Sequence, residues 1–262
     1  MVIPCIDMKI ILIGAGNLAT QLAVALQKKG MTPAYIYSRT RESAEQLSER
    51  LRDVPYSTDI SRVPTDGDLY IFAVKDSALL DLVSRMPSNR GLWVHTAGSM
   101  DMEVFAPYTA RYGVFYPMQT FSKERETDFD DIPIFVETNH TDDTERLQKL
   151  AGRLSTKVYE ATSEQRKYLH LAAVFACNFS NRLYALCDRI LSEHGLPFET
   201  MLPLIRETAA KVADMPPAQA QTGPAIRYDK NVIDKQMALL SDPTMRQIYD
   251  LMSRSIHETN KH

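Results

Sequence analysis

The chain has 262 residues, of which 44% are hydrophobic and 24% charged, and its formal net charge is −3 at pH 7. These values are ordinary for a globular protein with a sizeable core, and without a basic excess we expect no nucleic-acid partner. No apolar run approaches the roughly 20 residues that a membrane-spanning helix needs, and the first residues lack a signal-peptide pattern, so we expect no membrane partner.

In the first 160 residues, apolar runs typical of buried parallel strands alternate with segments of helical spacing. Strands are predicted over residues 9–14, 34–37, 68–74, 92–95, 114–116, 132–136 and 157–159. Helices are predicted over residues 17–29, 41–52, 76–86 and 141–154. Repeated strand–helix–strand units predict an α/β fold, a Rossmann doubly wound parallel sheet.

From Thr162 onward the pattern is helical, so we predict a domain boundary near residue 160, with domains 1–160 and 161–262. Residues 169–177 are apolar nearly all round, which predicts a helix buried on most sides that runs on through Leu191 and stops near Gly195. Further helices are predicted over 199–215, 231–240 and 243–259, with a loop at 219–224. An all-helical domain of this size covers such a helix poorly, which favours a homodimer.

The first predicted strand ends in GAGNLA, residues 14–19, which fits the dinucleotide-binding pattern G-x-G-x-x-A between a strand and a helix. Glycines permit the tight turn and close approach of a pyrophosphate, and the amides and dipole of the helix N-terminus attract phosphate. The predicted cofactor-binding residues here are Gly14, Ala15, Gly16, Asn17 and Leu18. The alternative is a glycine-rich turn that has lost its ligand.

The end of the second predicted strand reads Ser38, Arg39, Thr40. Sites for NAD usually carry an acidic residue there, which accepts from the ribose 2′-hydroxyl. Arg39 instead suits the 2′-phosphate of NADP(H), and the two hydroxyls can donate to it. We therefore predict NADP(H) rather than NAD, with a solvated surface arginine as the alternative for Arg39.

Two later strand ends are predicted to extend the cofactor site, because ligands of open α/β sheets lie beyond the carboxyl ends of the strands. The residues concerned are Ala73, Val74 and Lys75 after one strand, and Thr96 and Ala97 after the next. Asp76 is also a good helix N-cap, a reading compatible with a cofactor role for Lys75. His95 is either a cleft contact or a packed strand-end residue.

The stretches GAGNLA, SRT, AVKD and HTAGS resemble the NADP-binding half of pyrroline-carboxylate reductases and 6-phosphogluconate-dehydrogenase-type enzymes. With residues 116–121, 170–179 and 222–227 included, nearly the whole chain is similar to a bacterial family. That family joins a Rossmann domain related to deazaflavin-dependent NADP oxidoreductases to a helical C-terminal domain. The resemblance implies a helical second domain that mediates dimerisation, and it names no substrate.

The chain departs from the 6-phosphogluconate-type enzymes at one position. Those enzymes carry a catalytic lysine four residues before an asparagine on the first long helix of the second domain. If Asn178 is that asparagine, the lysine position holds Val174. Hydroxy-acid oxidation by that mechanism is therefore disfavoured, whereas reduction of an imine of the pyrroline type is less affected.

Polar side chains on the long apolar helix are the candidates for catalysis. At 100° per residue, His170, Asn181 and, less closely, Asn178 lie along one side, and a polar stripe of this kind is expected to face a cleft or polar partner. His170 is the candidate general acid, and the asparagines are candidates to hold a carboxylate, carbonyl or amide. The alternative is a buried set whose hydrogen bonds are satisfied by neighbouring helices.

Ser99 is a further catalytic candidate, and two other polar residues, Gln119 and Thr222, are predicted to contact the substrate. Ser99 is a hydroxyl donor or only a helix cap, Gln119 follows a strand end, and Thr222 lies in the stretch TGPAIR. The chain has no metal-binding or hydrolase motif, and its cysteines, Cys5, Cys177 and Cys187, form no CxxC pair. We therefore expect no metal and a reduced, cytoplasmic protein.

These patterns predict an NADP(H)-dependent oxidoreductase that acts on a small carbonyl, imine or acid substrate bound between the domains. The missing lysine motivates an alternative, a non-catalytic NADP-binding sensor or scaffold. Electron exchange between NADP and a deazaflavin is a third hypothesis, suggested only by the resemblance of the fold.

Overall fold

The computed structural model describes residues 8–259, so Cys5 and the predicted lead into the first strand lie outside the described residues. Eight strands form one sheet in the order β3-β2-β1-β4-β5-β6-β7-β8. The strands are β1 (Ile10–Ile13), β2 (Tyr35–Tyr37), β3 (Tyr56–Ser57), β4 (Leu69–Phe72), β5 (Leu92–His95), β6 (Tyr112–Pro117), β7 (Ile134–Thr138) and β8 (Val158–Glu160). Every neighbouring pair is parallel except β6 and β7.

The central strands are buried on both faces of the sheet. Along β1, Ile10 and Leu12 belong to one apolar cluster, and Ile11 and Ile13 belong to another on the opposite face. Alternation of side chains along a strand explains the division, and two covered faces explain the continuous apolar run. The helices between these strands are α1 (Asn17–Lys28), α2 (Arg41–Arg50), α3 (Asp76–Ser84) and α4 (Thr141–Leu154).

The predicted α/β doubly wound fold is confirmed, with two differences at the sheet. The strand β3 has only two residues, too short for a periodic signal, and it pairs with β2 at the edge. The strand β7 runs antiparallel to β6 because a loop rather than a crossover helix joins the two. Parallel neighbours need a crossover, whereas antiparallel neighbours do not.

After β8 the described elements are helical. A capping box formed by Thr162 and Gln165 begins α5 (Ser163–Ala173), which continues into a π-helical segment, Val174–Phe179. The later helices are α6 (Ser180–Glu193), α7 (Leu202–Asp214), α8 (Pro217–Ala220), α9 (Lys230–Leu239) and α10 (Pro243–Thr259). The short helix α8 was not predicted and takes up part of the predicted loop at 219–224.

The chain divides into two compact units, and the division falls between Cys177 and Asn178. The change from strand to helix falls earlier, between Glu160 and Ser163. The domain boundary that the sequence suggests near residue 160 follows the change of secondary structure and stays a prediction.

One expectation about α5 is wrong for the single chain. Residues 169–177 were predicted to be buried on most sides, but Leu171 is 53% exposed and Phe175 is 62% exposed. The helix packs through Ser163 and Arg166, which are buried and lie one turn apart. An apolar composition all round a helix does not bury it where only one of its faces has neighbours.

The second unit has few buried apolar side chains. Among its described residues, 178–259, the buried apolar side chains are Leu186, Ile233 and Met245. Across the part of the chain that the structure describes, no helix is long and apolar enough to cross a membrane.

Candidate active site

The turn between β1 and α1 requires glycine at its first position. Gly14 has φ +124°, and a Cβ there would lie 2.9 Å from the Ala73 carbonyl carbon and still closer to its oxygen. The Gly14 amide donates to the Tyr37 carbonyl at 2.7 Å, which ties the turn to β2. Around Gly16, the N-cap of α1, a Cβ would meet nothing within 4 Å, and no side chain caps the helix. Open space beside uncapped amides suits a phosphate group.

The helix that follows β2 also begins without a side-chain cap. Ser38 is buried, Arg39 and Thr40 are exposed, and α2 begins at the next residue. Thr40 is the N-cap of α2, but its side chain makes no capping hydrogen bond. Two helices therefore begin next to each other with first turns that no side chain caps.

Both helix starts border one cleft of about 500 Å³ in the first unit. It is lined by the predicted residues 14–16, 38–40 and 73–75, which the fold brings together from three strand ends. The side chain of Asn17 is instead directed to the loop after β6, where it donates to the Phe121 carbonyl at 3.1 Å. Leu18 packs against the core, and Thr96 and Ala97 are not among the residues that line this cleft.

The cleft also contains basic residues that the sequence analysis missed, Arg85 and Lys123. Arg85 pairs with Asp81 at 3.2 Å. Within residues 8–259, neither Arg39 nor Lys123 pairs with a carboxylate. Arg85 lies in the last turn of the predicted helix 76–86, close in sequence to the predicted residues 73–75, whereas Lys123 lies far along the chain from the other residues.

His95 belongs to the packing of the loop after β5. Its Nδ1 accepts from the Ala97 amide at 3.2 Å, and its Nε2 lies 3.3 Å from the Asp101 carbonyl oxygen. Burial lowers the pKa of His95 to about 4, and the nearby Arg166 guanidinium adds to the shift. Of the two alternatives for His95, the structure therefore supports the packed strand-end residue.

Ser99 and Asp76 join this loop to α3. The Ser99 hydroxyl donates to the Asp76 carboxylate. Lys75 is the N-cap of α3 and Asp76 is its first residue, so the prediction that Asp76 caps the helix is wrong. The capping prediction for Ser99 is also wrong, because Asp101 caps the short 3₁₀ helix Met102–Phe105 through the Glu103 amide. The Asp76 carboxylate instead accepts from the Ser99 hydroxyl, and the Asp101 carboxylate accepts from the Glu103 amide.

Arg166 fixes the same loop from α5. Its side chain is fully buried, and its Nε donates to the Ala97 carbonyl at 3.2 Å. It also pairs with Glu137 at 2.7 Å and donates to the Met100 carbonyl. A buried guanidinium with all of these partners is costly to disturb, so the loop is held rigidly. An arginine within a helical segment gave no sequence signal for this role.

His170 lies against the loop after β5. Its Nδ1 is hydrogen-bonded to the Tyr116 hydroxyl at 3.2 Å, and a Cβ on Gly98 would approach that nitrogen to 2.6 Å. Burial raises the pKa of Tyr116, although the Arg166 guanidinium opposes the shift. Tyr116 therefore keeps its proton near neutral pH and can orient the histidine ring. Tyr116 lies in one of the stretches that carry the family resemblance, but the sequence alone predicted no role for this residue.

The other predicted substrate residues are exposed. Gln119 accepts from the neighbouring Thr120 amide at 2.8 Å. Asn178, Asn181 and Thr222 belong to the second unit, and Thr222 precedes Gly223, which has φ +106°. The even 100° step that aligned the asparagines with His170 does not apply across the wider turns of the π segment. Their grouping with His170 stays a prediction.

The fold and cleft together define a Rossmann-type α/β protein with a helical C-terminal part. Two family models match consecutive portions of the chain. Residues 3–118 match a Rossmann-like domain, and residues 132–256 match the Domain of unknown function (DUF2520). Among curated proteins, no match to this sequence is found.

Solved structures identify the family. A Bacteroides fragilis protein described as a "putative NADP oxidoreductase" is 52% identical, with a TM-score of 0.90, and the match covers 96% of this chain and 98% of that one. The chain belongs to the same family as this Bacteroides protein.

More distant structures show the same fold. A Thermotoga maritima protein is 22% identical, with a TM-score of 0.80 over 97% of this chain and 100% of that one. A reductive aminase from Aspergillus terreus, solved with NADPH and ethyl levulinate, is 15% identical, with a TM-score of 0.74 over 96% of this chain and 94% of that one.

Proposed function

We propose that the protein is an NADP(H)-dependent oxidoreductase. The main support is the cleft in the first unit, which is bordered by the Gly14 turn and by two uncapped helix starts. It also contains Arg39 and Lys123, which pair with no carboxylate among the described residues. A dinucleotide presents a pyrophosphate and, in NADP(H), a further phosphate on the adenosine ribose, and the cleft offers positive groups for both. The description of the Bacteroides relative as an NADP oxidoreductase supports the same cofactor.

Each wall of the cleft has its own part in holding the nucleotide. The amides after Gly16 bind the pyrophosphate, and Ser38, Arg39 and Thr40 bind the 2′-phosphate. Residues 73–75, followed by Thr96 and Ala97, accommodate the nicotinamide half. In this proposal residues 1–160 form the nucleotide domain, and residues 161–262 serve the substrate and dimerisation.

His170 is the proposed proton donor. When bound, the cofactor supplies a hydride, and reduction of a carbonyl or imine also requires one proton on the oxygen or nitrogen. To donate a proton, the His170 ring must be protonated on both nitrogens: Nδ1 then donates to the Tyr116 hydroxyl oxygen, and the Nε2 proton is the one available to the substrate. The position of His170 beside Gly98 supports this role, since that loop follows a strand end of the cofactor site.

The proposed substrate is a small carbonyl, imine or acid. Ser99, Gln119, Asn178, Asn181 and Thr222 are proposed to contact it. Val174 at the lysine position argues against hydroxy-acid oxidation of the 6-phosphogluconate type. A relationship to deazaflavin-dependent oxidoreductases stays part of the proposal, and it rests on the resemblance of the sequence.

A homodimer through the helical segment is also proposed. Tyr168 and Leu171 lie one turn apart on α5 with more than half of their surface exposed, and Leu183 on α6 is 40% exposed. The second unit also buries few apolar side chains of its own. Exposed apolar side chains grouped on helices are typical of subunit interfaces.

Binding and turnover test the function separately. We expect calorimetry to detect NADPH binding that is at least about 10-fold tighter than NADH binding, because a charge-assisted phosphate contact contributes about 1.5 to 3 kcal/mol. We also expect NADPH oxidation with some member of a panel of imines, ketoacids and aldehydes. His170→Gln should lower kcat by about 10² or more and leave the NADPH Kd within twofold.

His194→Gln is the control, because His194 is an exposed histidine of the second unit and has no proposed role. The absence of binding heat with either nucleotide would contradict the oxidoreductase proposal. Tight NADPH binding with no turnover across the panel would instead support the sensor or scaffold.

A further inference from the structure

The loop between β6 and β7 leaves the sheet and returns to it. The Met118 amide donates to the Pro133 carbonyl at 2.9 Å, which closes the neck of the loop. Antiparallel neighbours can be joined by a short hairpin turn, yet here the connection is residues 119–132, which contact α1 through hydrogen bonds with Asn17 and Gln21. We call residues 119–132 the strap.

A buried glutamine on α1 holds the strap. Gln21 is 1% exposed, and its Nε2 donates to the Ser122 carbonyl at 2.6 Å and to the Lys123 carbonyl at 3.3 Å. Its Oε1 accepts from the Thr127 amide at 3.2 Å. The amide group of this one side chain thus holds the backbone of the strap both before and after the Lys123 side chain. Buried hydrogen bonds of this kind fix a backbone position, since an unpaired partner is costly.

The strap delivers Lys123 to the nucleotide cleft. From α2, Arg50 Nη1 donates to the Lys123 carbonyl at 3.0 Å. The lysine lines both the cleft and an adjoining hollow, and Ser43 in the first turn of α2 lines both as well. Lys123 therefore lies at the end of the cleft where α2 begins, beyond the strand end that carries Arg39.

Resting on the proposed nucleotide site, we propose that Lys123 binds the 2′-phosphate of NADPH together with Arg39, and that Gln21 is its positioning residue. A phosphate monoester carries about −1.5 to −2 charges near neutral pH, more than one guanidinium neutralises. Lysine acts on phosphate as a point charge and needs no fixed fork geometry, which suits a side chain on a loop. The anchored strap supplies this second charge from a distant part of the sequence.

Nucleotide titrations of wild type and Lys123→Gln test the proposal. We expect Lys123→Gln to weaken NADPH binding by about 10-fold and to leave NADH binding within twofold, because NADH lacks the 2′-phosphate. Arg39→Ala serves as the positive reference. Lys149→Gln is the matched control, since it removes the same charge from an exposed site on α4.

A thermodynamic cycle tests the role of Gln21. Gln21→Met should weaken NADPH more than NADH, and the double variant with Lys123→Gln should bind NADPH no worse than about twofold below Lys123→Gln alone. A merely structural role for Gln21 would lower the affinity for both nucleotides and add to the lysine effect, which would overturn the positioning role.

The titrations distinguish a failure of the Lys123 assignment from a failure of the oxidoreductase proposal on which it rests. Wild-type protein that prefers NADPH, with Lys123→Gln matching Lys149→Gln, would overturn the inference and leave the oxidoreductase proposal intact. Equal loss of NADPH and NADH in Lys123→Gln would overturn the assignment to the 2′-phosphate. Wild-type protein that binds neither nucleotide would overturn both proposals.

Discussion

The two units of the chain differ in how much of their own apolar surface they bury. In residues 8–177 the central strands are buried on both faces, whereas in residues 178–259 the buried apolar side chains are Leu186, Ile233 and Met245. A helical unit of this size with so little core gains little stability from hydrophobic burial. The first unit therefore contains its own folding determinants, and the second is expected to need another surface.

The same difference extends to the candidate functional residues. In the first unit, buried polar side chains hold the loops of the site, as Arg166 does for residues 97–100 and Gln21 does for the strap. The candidates of the second unit, Asn178, Asn181 and Thr222, are exposed. The candidate nucleotide cleft is thus lined by residues of the first unit, whereas the proposed substrate residues of the second unit lie on its surface.

A charge on the exposed face of α5 should have the largest effect. If two copies cover each other there, wild type has about twice the mass of the 29.7 kDa chain in light scattering. Leu171→Glu would place a carboxylate in an apolar interface and should weaken the dimer by at least about 10³-fold, or about 4 kcal/mol. Sedimentation at several concentrations measures this change.

Leu80→Glu is the matched control, because Leu80 is a leucine of similar exposure on α3, outside the helical segment proposed as the dimer interface. It should leave the mass unchanged. A wild-type mass of 29.7 kDa at every concentration would contradict the proposed dimer. It would show that the second unit is stable as a monomer with the few buried apolar side chains it has.

A second prediction compares one substitution in the two units. Gly14 and Gly223 both have positive φ, but a Cβ would collide with Ala73 at Gly14 and would meet nothing within 4 Å at Gly223. Gly14→Ala should lower the free energy of unfolding by about 3 kcal/mol or more, and Gly223→Ala by about 1 kcal/mol. Urea unfolding followed by circular dichroism gives both values.

Gly16→Ala separates packing from backbone strain within the first unit, since Gly16 has a negative φ and open space around it. It should change stability little. Equal costs at Gly14 and Gly223 would mean that the packing around the β1–α1 turn does not differ from that of the exposed loop.

Much of the fold of the first unit could be predicted from the sequence, because the patterns that indicate its strands and helices are local. Continuous apolar runs predicted β1, β4 and β5, and α4 was predicted with its observed bounds, Thr141–Leu154. The two-residue β3 and the antiparallel pairing of β7 had no periodic signal, since pairing partners are chosen by tertiary contacts. The π segment was equally hidden, because its composition does not differ from that of an α-helix.

The candidate site divides in the same way. Residues that follow strand ends, such as Gly14, Arg39 and Val74, were found because parallel strands bring their carboxyl ends to one edge of the sheet. Lys123 and Arg166 reach the site through a strap and a later helix, so their roles depend on contacts across long stretches of chain. Tyr116 was hidden because a buried tyrosine at a strand end usually belongs to the core.

The smallest predicted effect concerns pH and again distinguishes the first unit. The pKa of buried His95 is lowered to about 4 from 6.5, so the unfolded chain binds the proton more readily. Stability is therefore complete above pH 6.5 and is lost as the pH falls toward 4, with a loss of about 2 kcal/mol between pH 7 and pH 5. Fluorescence of the single tryptophan, Trp93, which is buried in the same unit, follows the unfolding in urea.

His95→Gln removes the titrating ring and should reduce the loss between pH 7 and pH 5 by about 2 kcal/mol relative to wild type. The variant is expected to be less stable at pH 7, because the Ala97 amide loses its acceptor on the imidazole. The two effects are separable, since the first is a difference between pH values and the second is an offset common to both. A variant that keeps the full wild-type pH dependence would show that His95 has the same pKa in the folded and unfolded chains, and that the loop after β5 is less tightly packed than the strands it joins.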